Sequence, residues 1–144
     1  QSREVKEIQK RIFEFSEFMV HVLKKEDVGA SLKGKATYHD SCAGLRECKI
    51  KEEPRKLLAN VKGLELTEMN DVETCCGFGG TFAVKFEPIS IAMGDQKTSN
   101  AAATGADYII STDMSCLMHI DGVMKNKGLK VQSMHLADVL ASGW

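Results

Sequence analysis

Between residues 35 and 141 the chain alternates short β-rich runs with longer helix-like ones, and this alternation restricts its folding more than any other feature. Residues 35–39, 64–69, 107–111 and 130–134 read as strands. Residues 52–60, 88–103, 115–127 and 136–141 read as helices. Pro54 falls in a first helical turn, where its missing N–H costs little. Gly63, Gly105 and Gly128 follow helical runs, as glycines at helix ends do. Regular alternation of this kind predicts an α/β fold: an open, mostly parallel sheet of about four strands with helices on both faces. Ligands bind such sheets at the carboxyl edge of the strands, so a functional site is expected there.

The first 33 residues fit that alternation less well. Val5, Ile8, Ile12, Phe15, Met19 and Val22 recur at helical spacing over residues 4–24. Ser16 before Glu17 could equally cap a helix fed by a short strand at residues 12–15, and both readings stay open. Residues 27–34 hold two glycines and a serine and read as a linker. The segments around Ser16-Glu17-Phe18-Met19 and Ala137-Asp138-Val139-Leu140 echo each other. The first residue is Gln. Residues 1–33 are therefore expected to be the tail and linker of a preceding similar domain, with the main domain over 34–144. Met114, Met118 and Met124 lie at helical positions and are expected in the core.

The 144 residues are the length of one ordinary domain. Nineteen basic against twenty acidic side chains leave a net charge of −1, which excludes a basic stripe for nucleic acid. No apolar run reaches the ~18 residues of a transmembrane segment. The charged start has no secretory apolar centre. A reducing cytoplasm is expected, with membrane association only through partners.

Five cysteines remain to be explained, an odd number and too few for a disulfide scaffold. Cys42 and Cys48 follow the first expected strand, Cys75 and Cys76 the second, and Cys116 the third. On a parallel sheet these segments converge on one edge, so Cys42, Cys75, Cys76 and Cys116 are expected to form a thiol cluster. Helix N-termini at that edge favour thiolates. In Cys75-Cys76-Gly77-Phe78-Gly79-Gly80 the neighbouring cysteines pair poorly with each other but can serve one metal cluster. Gly77, Gly79 and Gly80 allow positive φ and close approach, and their amides can donate to sulfur. The glycines alone do not make a phosphate loop, which would need a following Lys-Ser/Thr. Cys48 is read as a bystander. His39, beside Asp40 and near Cys42, is a candidate to contact a bound cofactor, although a structural hydrogen-bonding role is the first reading for it and for His119. His21 and His135 carry no signal.

The order Cys42, Cys75-Cys76-Gly77, Asp113-Met114-Ser115-Cys116 resembles the CCG cysteine-rich domain family. This family includes the cysteine-rich subunit of heterodisulfide reductases and iron–sulfur subunits of glycolate and lactate oxidation systems. The strings HDSC, PRKLL, KGLEL, CCGFGGTF, ATGAD and SCLMHI carry the likeness over most of the chain, nearest to the lactate systems. The resemblance implies two such domains in tandem, of which this chain would hold the second. Asp113 stands where the fullest pattern has a further cysteine. The implied metal ligands are Cys42, Cys75, Cys76 and Cys116, with Asp113 able to complete the site. The implied cofactor is an iron–sulfur cluster of the [4Fe–4S] type, or alternatively zinc. The implied function is electron transfer in a complex oxidising L-lactate or a similar 2-hydroxy acid, with the other subunits as partners and no catalysis by this chain alone. The alternative is a structural zinc-binding interaction module. A thiol–disulfide module ranks last, because no Cys-x-x-Cys is present. Apolar surface left by an absent first domain is expected to favour association between copies of the chain.

Overall fold

A computed structural model describes residues 2–143. Its four strands are β1 (Ser31–Tyr38), β2 (Lys62–Leu66), β3 (Tyr108–Ser111) and β4 (Gln132–His135). They form one sheet in the order β2-β1-β3-β4, and every neighbouring pair is parallel. The helices are α1 (Arg3–Gln9), α2 (Phe15–Glu17), α3 (Glu52–Ala59), α4 (Thr81–Lys85), α5 (Glu87–Ala103), α6 (Met114–Asn126) and α7 (Leu136–Leu140).

The strand order places helices on both faces. From β1 the chain steps outward through α3 to β2, then crosses back past β1 to β3 and on to β4. Parallel crossovers are right-handed, so connections that travel in opposite directions lie on opposite faces. One core accordingly joins Ala36, Tyr38, Leu57, Leu58, Ile110, Leu136 and Val139. The other joins Ile109, Ala101, Cys116, Ile120 and Met124. Ile109 and Ile110 are neighbours in β3 and serve different cores, as the two-residue period of a strand requires. The direction of travel reverses between β1 and β3, and a ligand crevice forms at the carboxyl ends of such a pair.

Several boundaries differ from expectation. Residues 4–24 are neither one helix nor a strand followed by a helix. α1 buries no residue, and Val5, Ile8 and Ile12 are exposed. The second helix is capped by Glu14, not Ser16. The Glu14 carboxylate accepts the N–H groups of Ser16 and Glu17, and Glu17 accepts that of Glu14. This helix continues as a π-helical turn over Phe18–Val22, which sends Val20 into the core. His21 Nε2 lies 2.7 Å from Glu53 Oε1 on α3.

β1 begins inside the stretch read as a linker. Gly34 (φ 144°) marks an irregularity in the pairing, and a Cβ there would come within 2.9 Å of the Asp107 carboxylate. That carboxylate accepts the Lys35 N–H at 2.9 Å. The glycine that reads as a linker is therefore a strand irregularity making room for a side chain. Gly63, read as a break, lies within β2 at φ 83°. β2 ends at Leu66, short of residue 69. Met114 and Met118 are exposed and only Met124 is buried, because the buried side of α6 is set by Cys116, Leu117, Ile120 and Val123. Helix α4 has no counterpart in the expected pattern. Among the described residues no helix is long and apolar enough to cross a membrane.

Candidate metal centre

Three segments meet at the carboxyl edge. β1 leads into His39, Asp40 and Cys42, β3 leads into Asp113 and Cys116, and the segment before α4 supplies Cys75 and Cys76. Cys42, Cys75, Cys76, Cys116 and Asp113 line one cavity of about 310 Å³, together with Gly79 and Gly80. Cys48 is exposed and lies outside that lining.

His39 is fully buried. Its backbone is part of the sheet edge: the N–H donates to Ile110 O at 2.8 Å, and the carbonyl accepts from Ser111 Oγ at 2.9 Å. Both ring nitrogens nevertheless lack a hydrogen-bond partner. An unsatisfied buried polar group costs about 1–3 kcal/mol. A ring nitrogen of His39 and the Sγ atoms of Cys76 and Cys116 all lie within 4.8 Å of one another. A nitrogen and two sulfurs in a buried position are a donor set suited to zinc or iron. The orphaned imidazole is the observation that fits this site to a bound metal.

The thiols differ in their protonation. The Cys116 thiol donates to Cys76 and brings Cys76 down to about 4. Burial opposes that shift, while the neighbouring His39 and the Phe78 N–H favour it. Cys116 is pushed up, first by the same contact and then by burial. Cys42 is also raised, first by burial and then by Cys75. Cys76 is thus the most readily ionised of these thiols, while Cys42 and Cys116, both held up, would have to release protons on binding a metal.

The glycine-rich segment is held by α5. Gly77 has φ 96°, and a Cβ there would meet Ser90 O at 2.4 Å, so no other residue fits. Its N–H donates to Cys75 Sγ at 3.4 Å, and its carbonyl accepts from Ser90 Oγ at 2.7 Å. Asp113 has a local role as well. Its Oδ1 caps α6 by accepting the N–H groups of Ser115 (3.0 Å) and Cys116 (3.2 Å). Partial burial opposes the charge, but the Ser115 hydroxyl and those N–H groups hold the carboxyl below its usual range. His119 packs edge-on against Phe78 at 6.3 Å, with Nε2 3.4 Å from Ser90 O. His135 caps α7, its Nδ1 accepting from the Ala137 N–H at 3.1 Å.

Two supports were not anticipated. Arg55 on α3 clamps Asp40 through both oxygens (3.0 and 2.9 Å) and Glu68 likewise (2.6 and 3.0 Å). Its guanidinium also lies 5.1 Å above the Tyr38 ring. This ties together the segments that follow β1 and β2. Lys97 on α5 is 1% exposed. Arg55 lies in the PRKLL string, but its partners are distant in sequence. For Lys97 the available signal was a lysine amid small residues in the middle of a helix.

Residues 36–121 match the family model described as CCG, cysteine-rich domain. Lactate utilization protein A of Bacillus cytotoxicus is 52% identical over 132 residues, which covers 92% of this chain and 55% of that protein. Lactate utilization protein A of Bacillus cereus (strain G9842) is 47% identical over 141 residues, covering 98% of this chain and 59% of that protein. The chain thus spans a little more than half the length of these curated relatives.

Proposed function

We propose, from the premise that this chain belongs to the CCG cysteine-rich domain family, that its carboxyl-edge cavity holds a redox-active metal centre. The reading is an iron–sulfur cluster of the [4Fe–4S] type, bound by Cys42, Cys75, Cys76 and Cys116 with Asp113 and His39 at its border. The observation that carries it is the fully buried His39, whose ring nitrogens have no partner and one of which lies within 4.8 Å of Cys76 and Cys116 Sγ. Such a cluster supplies one-electron transfer when bound. The chain's own residues do the rest. Cys76 offers a thiol whose pKa is held low by the Cys116 contact, the Gly77 N–H donates to Cys75 sulfur, and Phe78 borders the cavity. Similarity to Lactate utilization protein A supports a role in lactate utilisation. There the domain would relay electrons among the subunits of a complex oxidising L-lactate or a similar 2-hydroxy acid. An earlier similar domain belongs to the same proposal, with the boundary expected near residue 34 moved ahead of Ser31, where β1 starts.

A second reading has a specific observation behind it. His39, Cys76 and Cys116 form a three-donor set, which one further thiol would complete as a tetrahedral zinc site. Anaerobic purification with assay of iron, labile sulfide and zinc, together with the visible spectrum, separates the two. A brown protein with iron and sulfide supports the cluster. A colourless protein with stoichiometric zinc supports the second reading, and a metal-free protein refutes both.

A further inference from the structure

The His39 ring is buried without a hydrogen bond to fix it, so its placement depends on the backbone that carries it and on packing. That backbone is held on both sides. The His39 N–H and carbonyl are bonded to β3, which carries the extended pairing one residue beyond the end of β1. Its two chain neighbours, Tyr38 and Asp40, are buried and meet one and the same guanidinium. Arg55 Nη1 and Nη2 donate to the two Asp40 oxygens at 3.0 and 2.9 Å, and the guanidinium carbon lies 5.1 Å from the centre of the Tyr38 ring.

The two faces of the sheet give this grip a direction. Side chains alternate across an extended chain. Tyr38 belongs to the core that contains Leu57 and Leu58 of α3, whereas Cys76 and Cys116 belong to the core on the other face. Arg55, also on α3, therefore grips residues 38 and 40 from one face, while a ring nitrogen of residue 39 stands within 4.8 Å of Cys76 and Cys116 Sγ on the other. The guanidinium is itself anchored. Nε and Nη2 donate to Glu68 at 2.6 and 3.0 Å, and Nη1 donates to Lys51 O at 2.6 Å. A planar fork of five donors can make these contacts together, and the compact ammonium of a lysine cannot.

We propose that Arg55 is a positioning residue of the metal centre: it holds Tyr38 and Asp40 and through them sets the His39 ring beside Cys76 and Cys116. This deepens the metal-centre reading and rests on it for any effect on metal affinity. The placement of the ring itself does not need a metal. Groups that orient a metal-binding histidine account for about 10–100-fold in affinity.

The test has two arms, both on the full chain. Arg55→Lys keeps a positive charge beside Asp40 but cannot span Asp40, Glu68 and Tyr38 together. In metal-free protein under chelator and reductant, the His39 ring resonances are identified by their loss in His39→Leu. In Arg55→Lys they are expected to shift or broaden, while those of His119 and His135 stay in place. Unchanged His39 resonances overturn the proposal, and so does displacement of all three rings, which marks a merely structural loss. The second arm is an anaerobic titration with cobalt(II), read by its thiolate-to-metal absorption. Arg55→Lys is expected to weaken cobalt binding about tenfold in the chain that has His39, and by less than about twofold when residue 39 is already leucine. Equal losses with and without His39 overturn the proposal. Should Arg55→Lys not fold, Asp40→Asn, which keeps the side-chain shape and removes the charge that the clamp grips, takes its place in both comparisons with the same criteria. A wild-type chain that binds no cobalt refutes the metal-centre reading, and the ring resonances then decide this proposal alone.

Discussion

His39 and Arg55 show how differently two buried polar residues can behave. His39 has no hydrogen-bond partner for its ring, so removing the ring should not harm a metal-free chain. His39→Leu is expected to change metal-free stability by no more than about 1 kcal/mol, since the loss of an unsatisfied polar group offsets the loss of its influence on Cys76. The same substitution should lower metal stoichiometry. Urea unfolding with chelator, paired with metal analysis of the purified protein, reads both. A large destabilisation without metal would mean that the imidazole is satisfied in some other way. Arg55 is the opposite case. Its side chain is 14% exposed and its partner Asp40 is 1% exposed, so truncation strands a buried carboxylate. Arg55→Ala is expected to cost about 3 kcal/mol in urea unfolding. Lys51, whose exposed pair with Glu73 is screened by solvent, should be nearly silent to the same measurement.

At the scale of elements, α6 depends on a side chain that also borders the cavity. Asp113 caps its first turn, and loss of such a cap costs about 1 kcal/mol. Asp113→Ala should show that loss in metal-free protein, whether or not the carboxylate ever touches a metal. The Asp113 carboxyl lies below its unfolded value of about 3.9. Its contribution is therefore present above about pH 4 and is lost as the pH falls through the lower folded value. Asp113→Asn keeps a capping oxygen and should flatten that acid limb of the stability–pH curve. Apart from α4, the element order from β1 to α7 was legible because strand and helix periods differ. The N-terminal segment was misread, because apolar residues at helical spacing imply burial only when another surface covers them. Ile8 and Ile12 have no such cover among the described residues. Gly34 and Gly63 were misread as linker and break, since a positive φ within a strand leaves the same local mark as a turn.

For the whole molecule, the candidate ligands come from segments far apart in the chain, so a bound metal would link parts of the fold that otherwise separate on unfolding. A ligand that binds only the folded state raises its stability by mass action. Chelation of the metal-loaded protein is expected to lower its unfolding temperature and to expose Cys42 and Cys75, the two less buried thiols of the cavity, to alkylation first. Scanning calorimetry and mass-spectrometric mapping of the modified cysteines check this. An unfolding temperature indifferent to chelator would remove the centre from any structural role.

The amino-acid sequence by itself determined the succession of strands and helices from β1 onward, α4 excepted, and the placement of Cys42, Cys75-Cys76 and Cys116 after β-rich runs. Both follow from local periodicity and spacing, and with the parallel-sheet rule they sufficed to direct those thiols to one edge. The tertiary structure alone decided that the chain reverses direction between β1 and β3, that His39 loses every ring partner there, and that α5 turns Ser90, Gly94 and Lys97 inward while Ile89 and Ile91 face out. These are consequences of strand order and crossover handedness. They join residues tens of positions apart, where no local pattern of apolar and polar side chains carries information.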